Sequence, residues 1–268
     1  MEDLFRDPAA LARRIERAQA LQLERTRAAR GSGGPALEVA GGLAVFHGFR
    51  SPFSAAIGVG LAGAVGGDDL DRVEAHLGKG GGPVRVEVTP FSDSSLAEEL
   101  ARRSYRVERF HQVWARRPLP LPAAPEAEVR PVRAGEERAW VELFSQAYLG
   151  GPTHSEAQRA AFLAMIRGEG NVGFLAFANG SPAGIGVAST EGSVAYLSSA
   201  GVPAAYRGRG LQLALVRARL AWAADLGCDL AASATEPATA SQRTLEKAGF
   251  RPAYPKVVLV RERPSSVE

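Results

Sequence analysis

Apolar residues recur at helical spacing from the start of the chain. Leu4, Leu11, Ile15 and Ala18 fall on one stripe of a segment from Asp3 to Arg30, and the glycine cluster at 31–34 ends it. Shorter runs follow. They predict paired strands around Gly41-Gly42, a strand at Ala55–Leu61, a helix at Asp68–Leu77 and a strand at Val84–Val88. A helix at Ser94–Arg103 and strands at Tyr105–Phe110 and Gln112–Arg116 close this half. The second half starts with a strand at Val129–Arg133 and helices at Glu136–Tyr148 and Glu156–Arg167. Strands are then predicted at Val172–Ala178, Ala183–Thr190 and Val194–Val202. A long helix at Leu211–Leu226, a strand at Asp229–Ala234, a helix at Ala240–Ala248 and strands at Phe250–Tyr254 and Val257–Arg261 complete the pattern.

Between the halves lie four prolines in eight residues, Pro118 to Pro125. Proline lacks an amide donor and fixes its own φ, so this stretch suits neither a helix interior nor a central strand. The expected division is an N-terminal domain at 1–117, a linker at 118–127 and a C-terminal domain at 128–268. Both halves end alike: Ser95 to Tyr105 and Ser241 to Phe250 each read as a short helix running into an aromatic-led strand. The expected fold class is α/β (α+β), with two copies of one fold, each a mixed central sheet flanked by helices, the first copy degenerate.

Composition narrows the chemistry. The net charge is only +3 in 268 residues, which gives no footprint for nucleic acid or a membrane surface. With one cysteine, Cys228, no disulfide within the chain and no CxxC knuckle is possible, and the four histidines are far apart. No metal is expected. The first thirty residues are charged throughout, and no apolar run approaches the ~20 residues that span a bilayer, so the expected location is the cytoplasm.

The run that carries chemistry is Val194 to Val202 followed by Tyr206-Arg207-Gly208-Arg209-Gly210-Leu211-Gln212. A strand ends, a loop of glycine and arginine follows, and a strong helix begins. Glycines let backbone amides turn toward one point, and the new helix adds unpaired N–H groups and partial positive charge there. Such a place binds a pyrophosphate. The bland alternative is a solvated Arg-Gly turn.

With its later helix and Glu246-Lys247-Ala248-Gly249-Phe250, this stretch resembles the GNAT superfamily of N-acetyltransferases over roughly 128–262. The family motif Arg/Gln-x-x-Gly-x-Gly/Ala corresponds to Arg207-x-x-Gly210-x-Gln212. The resemblance implies acyl-CoA as cosubstrate, with acetyl-CoA as the family's usual donor. It would be held by Ala200, Gly201, Val202, Arg207, Gly208, Arg209, Gly210, Leu211 and Gln212, with backbone groups of Ala200 and Val202 on the pantetheine. The acceptor would be a primary amine of a small molecule or peptide, and the protein a monomer or homodimer. Three positions depart from the family: Gln212 is bulky, Leu245 stands where a tyrosine often acts as acid, and Ala238 where an asparagine often holds pantetheine. Ser241, Tyr206 and Tyr254 are the acid candidates and Glu236 and His154 the base candidates. An acyl-CoA-binding sensor or partner module without turnover is the alternative.

Gly58-Val59-Gly60-Leu61-Ala62-Gly63 matches GxGxxG but precedes Asp68-Asp69 rather than a phosphate-accepting helix, so it reads as a glycine-rich strand end. The same aspartates predict that the first half cannot take acyl-CoA there. Trp114, Trp140 and Trp222 read as core or interface residues, and Cys228 as buried rather than nucleophilic.

Overall fold

A computed structural model describes residues 4–31, 33–48, 51–123, 126–152 and 155–262. By its contacts the chain divides into two compact units. One holds the residues up to Val113 together with Thr235–Pro237 and the last strand from Pro252, and the other holds Trp114–Ala234 and Ala238–Arg251.

In the first unit, helix α1 (Pro8–Arg30) begins where the Asp7 carboxylate accepts the Ala10 amide at 2.9 Å and proline opens the first turn. It ends at Gly31, whose φ of 69° is the left-handed closing conformation. Leu11, Ala12, Ile15 and Ala18 form its buried face. Strands β1 (Leu37–Val39), β2 (Gly42–Val45) and β3 (Ala55–Ile57) run antiparallel. Helix α2 (Gly67–Leu77) leads to β4 (Val84–Val88), which lies parallel to β3. Helix α3 (Ser94–Arg102), capped by Asp93, leads to β5 (Arg106–Arg116). The last strand, β11 (Arg251–Arg261), pairs antiparallel with β4 from Val257↔Val88 to Arg261↔Val84. The sheet order is β1-β2-β3-β4-β11-β5. Leu70, Val73, Leu77, Val86, Leu96 and Leu100 form the core beside it.

Four expectations change. Helix α1 begins at Pro8 rather than Asp3, because Asp7 caps it and Pro8 opens its first turn. The strand at Ala55–Leu61 stops at Ile57, because Gly58 and Gly60 take φ of 74° and 81°. The pairs at 105–116 and 250–261 are single strands of 11 residues each. Pro255 lies within β11, two residues before Val257, where the ladder with β4 starts.

A buried polar cluster ties α1, β4 and β11 together. Lys256 Nζ lies 3.2 Å from both carboxylate oxygens of Glu16, 2.5 Å from Glu87 and 2.6 Å from Gln19 Oε1. The Tyr254 hydroxyl donates to Glu16 at 2.8 Å. Burial raises the Glu16 pKa despite Lys256, whereas at Glu87 the Lys256 charge and hydrogen bond overcome burial and lower it.

His47 is buried too, and desolvation, with the Arg30 charge, lowers its pKa from 6.5 to about 4. The unfolded chain therefore takes the proton first as pH falls. The stability linked to this ring is intact above pH 6.5 and is lost between 6.5 and about 4, by up to about 3 kcal/mol. Burial lowers His76 and His111 in the same direction. Urea denaturation at several pH values should show this decline, and His47→Asn should flatten it. An equally steep decline in the variant would remove His47 as its source.

In the second unit, β6 (Val129–Pro131) is followed by α4 (Glu137–Leu149), α5 (Glu156–Arg167) and the antiparallel strands β7 (Asn171–Ala178), β8 (Ser181–Glu191) and β9 (Val194–Gly201). Helix α6 (Leu211–Asp225) leads to β10 (Leu230–Thr235), parallel to β9, and α7 (Ala240–Lys247) comes last. The order is β10-β9-β8-β7-β6. Both α4 and α6 pack on β8. They do so from opposite faces: Gly184 and Gly186 face Leu215 and Arg219 of α6, while Gly201, opposite Ile185, faces Ala147 of α4. Trp114 is buried in this core, Trp222 packs at its edge, and Trp140 is buried on α4, stacked on Phe144 at 5.4 Å. Cys228 is buried. Each unit therefore contains, in order, three antiparallel strands, a helix, a parallel strand and a second helix.

Candidate functional site

The site begins where β9 leaves β10. Their parallel register covers only Val194–Tyr196 against Leu230–Ala232. At the next residue the Ser233 hydroxyl donates to the Leu197 carbonyl at 2.7 Å, and a side chain replaces the ladder amide. On its other edge β9 bulges. The register shifts from Val187↔Ser198 to Ile185↔Gly201, and Ser199 takes φ of 50°. The strand end is held from three sides. Tyr148 of α4 donates its hydroxyl to Ala200 O at 3.0 Å, Arg207 Nε donates to Val202 O at 3.1 Å, and Arg219 Nη1 donates to Val187 O and Ser198 O at 3.1 and 3.2 Å. Desolvation raises the Tyr148 pKa to about 12, so this phenol is a neutral donor across the physiological range.

After β9 the chain makes a 3₁₀ turn at Ala204–Tyr206 and enters the Arg-Gly loop. Gly208 and Gly210 have φ of 77° and 74°, a conformation that costs any residue with a Cβ ~1–2 kcal/mol. Gly210 is the residue before α6, and its carbonyl takes the first helical amides, those of Leu213 and Ala214. The preceding Leu211 and Gln212 amides sit at the positive end of the helix. In front of this end is an open cleft of about 730 Å³, lined by Val202, residues 206–213, Ala240, Thr244 and Lys247. Three of these residues are cationic (Arg207, Arg209 and Lys247) and none is acidic. Glycines, helix amides and fixed cations that converge in this way fit a polyanionic phosphate group.

The positions singled out in the sequence separate on folding. Val202 and Arg207 through Gln212 line the cleft together with Tyr206. Ala200 and Gly201 do not: a Cβ on Gly201 would lie 2.8 Å from Ala147, so this glycine permits α4 to approach. The bulky Gln212 side chain turns toward the Ser241 hydroxyl, 3.5 Å away. Ser241 is the second residue of α7, whose cap is Thr239. Glu236 is exposed just past β10 and groups with the first unit. Tyr254 is buried in the first unit's polar cluster and is not among the residues that line the cleft. His154 lies outside the described residues. Leu245 is buried, and Ala238 is exposed with φ of 63°.

Lys247, Thr244, Tyr148, Ser233 and Arg219 were not anticipated as site residues. A signal for Arg219 does exist: Leu211, Leu215, Arg219 and Ala223 fall at four-residue spacing on the buried face of α6, and a cation in such a stripe needs a reason.

Residues 137–250, nearly all of them in the second unit, match the model of the acetyltransferase (GNAT) family. A GCN5-related N-acetyltransferase from Kribbella flavida superposes with a TM-score of 0.67 at 17% identity, covering 96% of this chain and 97% of that one. A GCN5-related N-acetyltransferase from Sphaerobacter thermophilus gives a TM-score of 0.56 at 23% identity, covering 73% of this chain and 64% of that one. The chain thus spans less than two thirds of that protein's length. A tandem GNAT protein from the clavulanic acid biosynthesis pathway gives 0.52 at 17% identity, covering 75% of this chain and 69% of that one. At these identities the likeness is one of fold. No curated protein matches the chain. Among the described residues no helix is long and apolar enough to cross a membrane.

Proposed function

We propose that the second unit binds acyl-CoA, with acetyl-CoA as the first donor to test, and transfers the acyl group to a primary amine of a small molecule or peptide. The observation that carries this reading is the acid-free cleft at the start of α6, where three cations and glycine-turned backbone converge within a GNAT domain. Arg207, Arg209, Lys247 and the Leu211 and Gln212 amides hold the phosphates. Ala200 and Val202 present the strand end to the pantetheine arm, and their carbonyls each keep a second lone pair beside Tyr148 and Arg207.

Bound acyl-CoA supplies an activated acyl group whose thiol leaving group has a pKa of about 8.5, so a dedicated acid helps without being required. Of the acid candidates, Tyr206 lines the cleft and Ser241 adjoins it through Gln212. Glu236 is the base candidate with a described position, exposed and able to take a proton from the incoming amine through water. The first unit is proposed to be a degenerate copy of the same fold. Its α2 starts with Asp68 and Asp69 where a phosphate site needs positive potential. The domain boundaries proposed are 1–117, 118–127 and 128–268, with β11 contributed to the first unit's sheet.

Calorimetric titration with acetyl-CoA and with CoA tests the reading. Binding at one site per chain, followed by thiol release with an amine panel, supports it. Two sites per chain would refute the degenerate first unit, and the absence of binding would refute the transferase.

A further inference from the structure

Arg219 is fully buried, yet among the described residues no carboxylate pairs with it. Its Nε donates to Leu215 O at 3.0 Å, and Nη1 donates to Val187 O and Ser198 O. Burying a guanidinium without a counter-ion is costly, and three carbonyl acceptors offset only part of that cost. The sheet is built around this side chain: a Cβ on Gly186 would lie 3.2 Å from Cζ and from Nε. Burial lowers its pKa to about 10, which leaves it a cation at neutral pH.

The location is specific. Val187 and Ser198 are the last cross-strand pair before the bulge, and Ser199 is the residue forced to φ of 50°. One nitrogen therefore clamps both strands at the point where β9 departs from regular pairing. It also sets a positive charge beneath the strand end that the proposed function assigns to the acyl-bearing arm.

We propose that Arg219 is a positioning residue that makes this strand end prefer an acylated over a free thiol. The inference rests on the acyl-CoA reading. Through the clamped bulge the guanidinium fixes the slot where a carbonyl oxygen would lie, and its charge favours that oxygen. The phosphates, held at the start of α6, are outside its influence.

The test measures acetyl-CoA and CoA affinities of the full chain by calorimetry for the wild type, Arg219→Met, Arg219→Lys and Gly186→Ala. The wild type is expected to prefer acetyl-CoA. Arg219→Met should reduce that preference ~tenfold, the scale of one hydrogen bond to a charged group, and leave CoA affinity within about threefold. Arg219→Lys keeps the charge but loses the two-strand clamp, and should fall between. Gly186→Ala displaces the guanidinium without removing it and should lower the preference in the same direction, which keeps the test open if Arg219→Met does not fold. An unchanged preference in folded variants with intact CoA binding overturns the role of Arg219 and leaves the transferase standing. Parallel loss of both affinities overturns it as well, in favour of a purely structural role. A wild type that binds neither ligand overturns the acyl-CoA reading itself.

Discussion

Replacing Gly210 with glutamate is expected to lower acyl-CoA affinity at least ~100-fold, close to 3 kcal/mol, while the fold persists. Two effects add. The residue before α6 has φ of 74°, where a Cβ costs ~1–2 kcal/mol. The new carboxylate also enters a cleft whose charged lining is Arg207, Arg209 and Lys247, so it neutralises the field that would attract phosphates. Gly210→Asn separates the two effects. Asparagine tolerates the left-handed region and adds no charge, so it should lose far less affinity. Calorimetry gives the affinities, and circular dichroism with thermal melting checks the fold. Native affinity in well-folded Gly210→Glu would place the phosphates elsewhere.

Lys256→Met is expected to destabilise the first unit by roughly 3–5 kcal/mol at neutral pH. The lysine side chain is completely buried between Glu16 and Glu87, and methionine fills its volume but leaves two carboxylates facing each other. In the variant those carboxylates have raised pKa values, so the folded state takes up protons before the unfolded state does. Stability relative to wild type should then recover as pH falls from 7 toward 5, and chemical denaturation at the two pH values reads this directly. A pH-independent deficit would mean that lost packing is responsible. Because Lys256 lies on β11, the same result would show that the first unit's core depends on the chain's last strand.

Much of the fold was legible because its signals are local. The α1 stripe, its end at Gly31 and the limits of α5 follow from residues within one or two turns of each other. Arg207 to Gln212 was legible as a candidate site for the same reason: strand end, glycine loop and helix start are contiguous. Tyr254, an acid candidate with strand-end packing as its plainer reading, packs: its buried hydroxyl donates to Glu16, 238 positions away in sequence.

By itself, then, the sequence determined the element order, the resemblance to N-acetyltransferases and the glycine-arginine loop between strand end and helix start. Each of these depends on propensity, periodicity and short-range spacing. Only the tertiary structure decided which strand completes which sheet, that Lys247 and Thr244 of α7 face the start of α6, and that Arg219 clamps the bulge of β9. These depend on contacts between residues far apart in the chain. Their pairing is set by the burial of whole faces and by the need to satisfy buried polar groups, which no window of sequence contains.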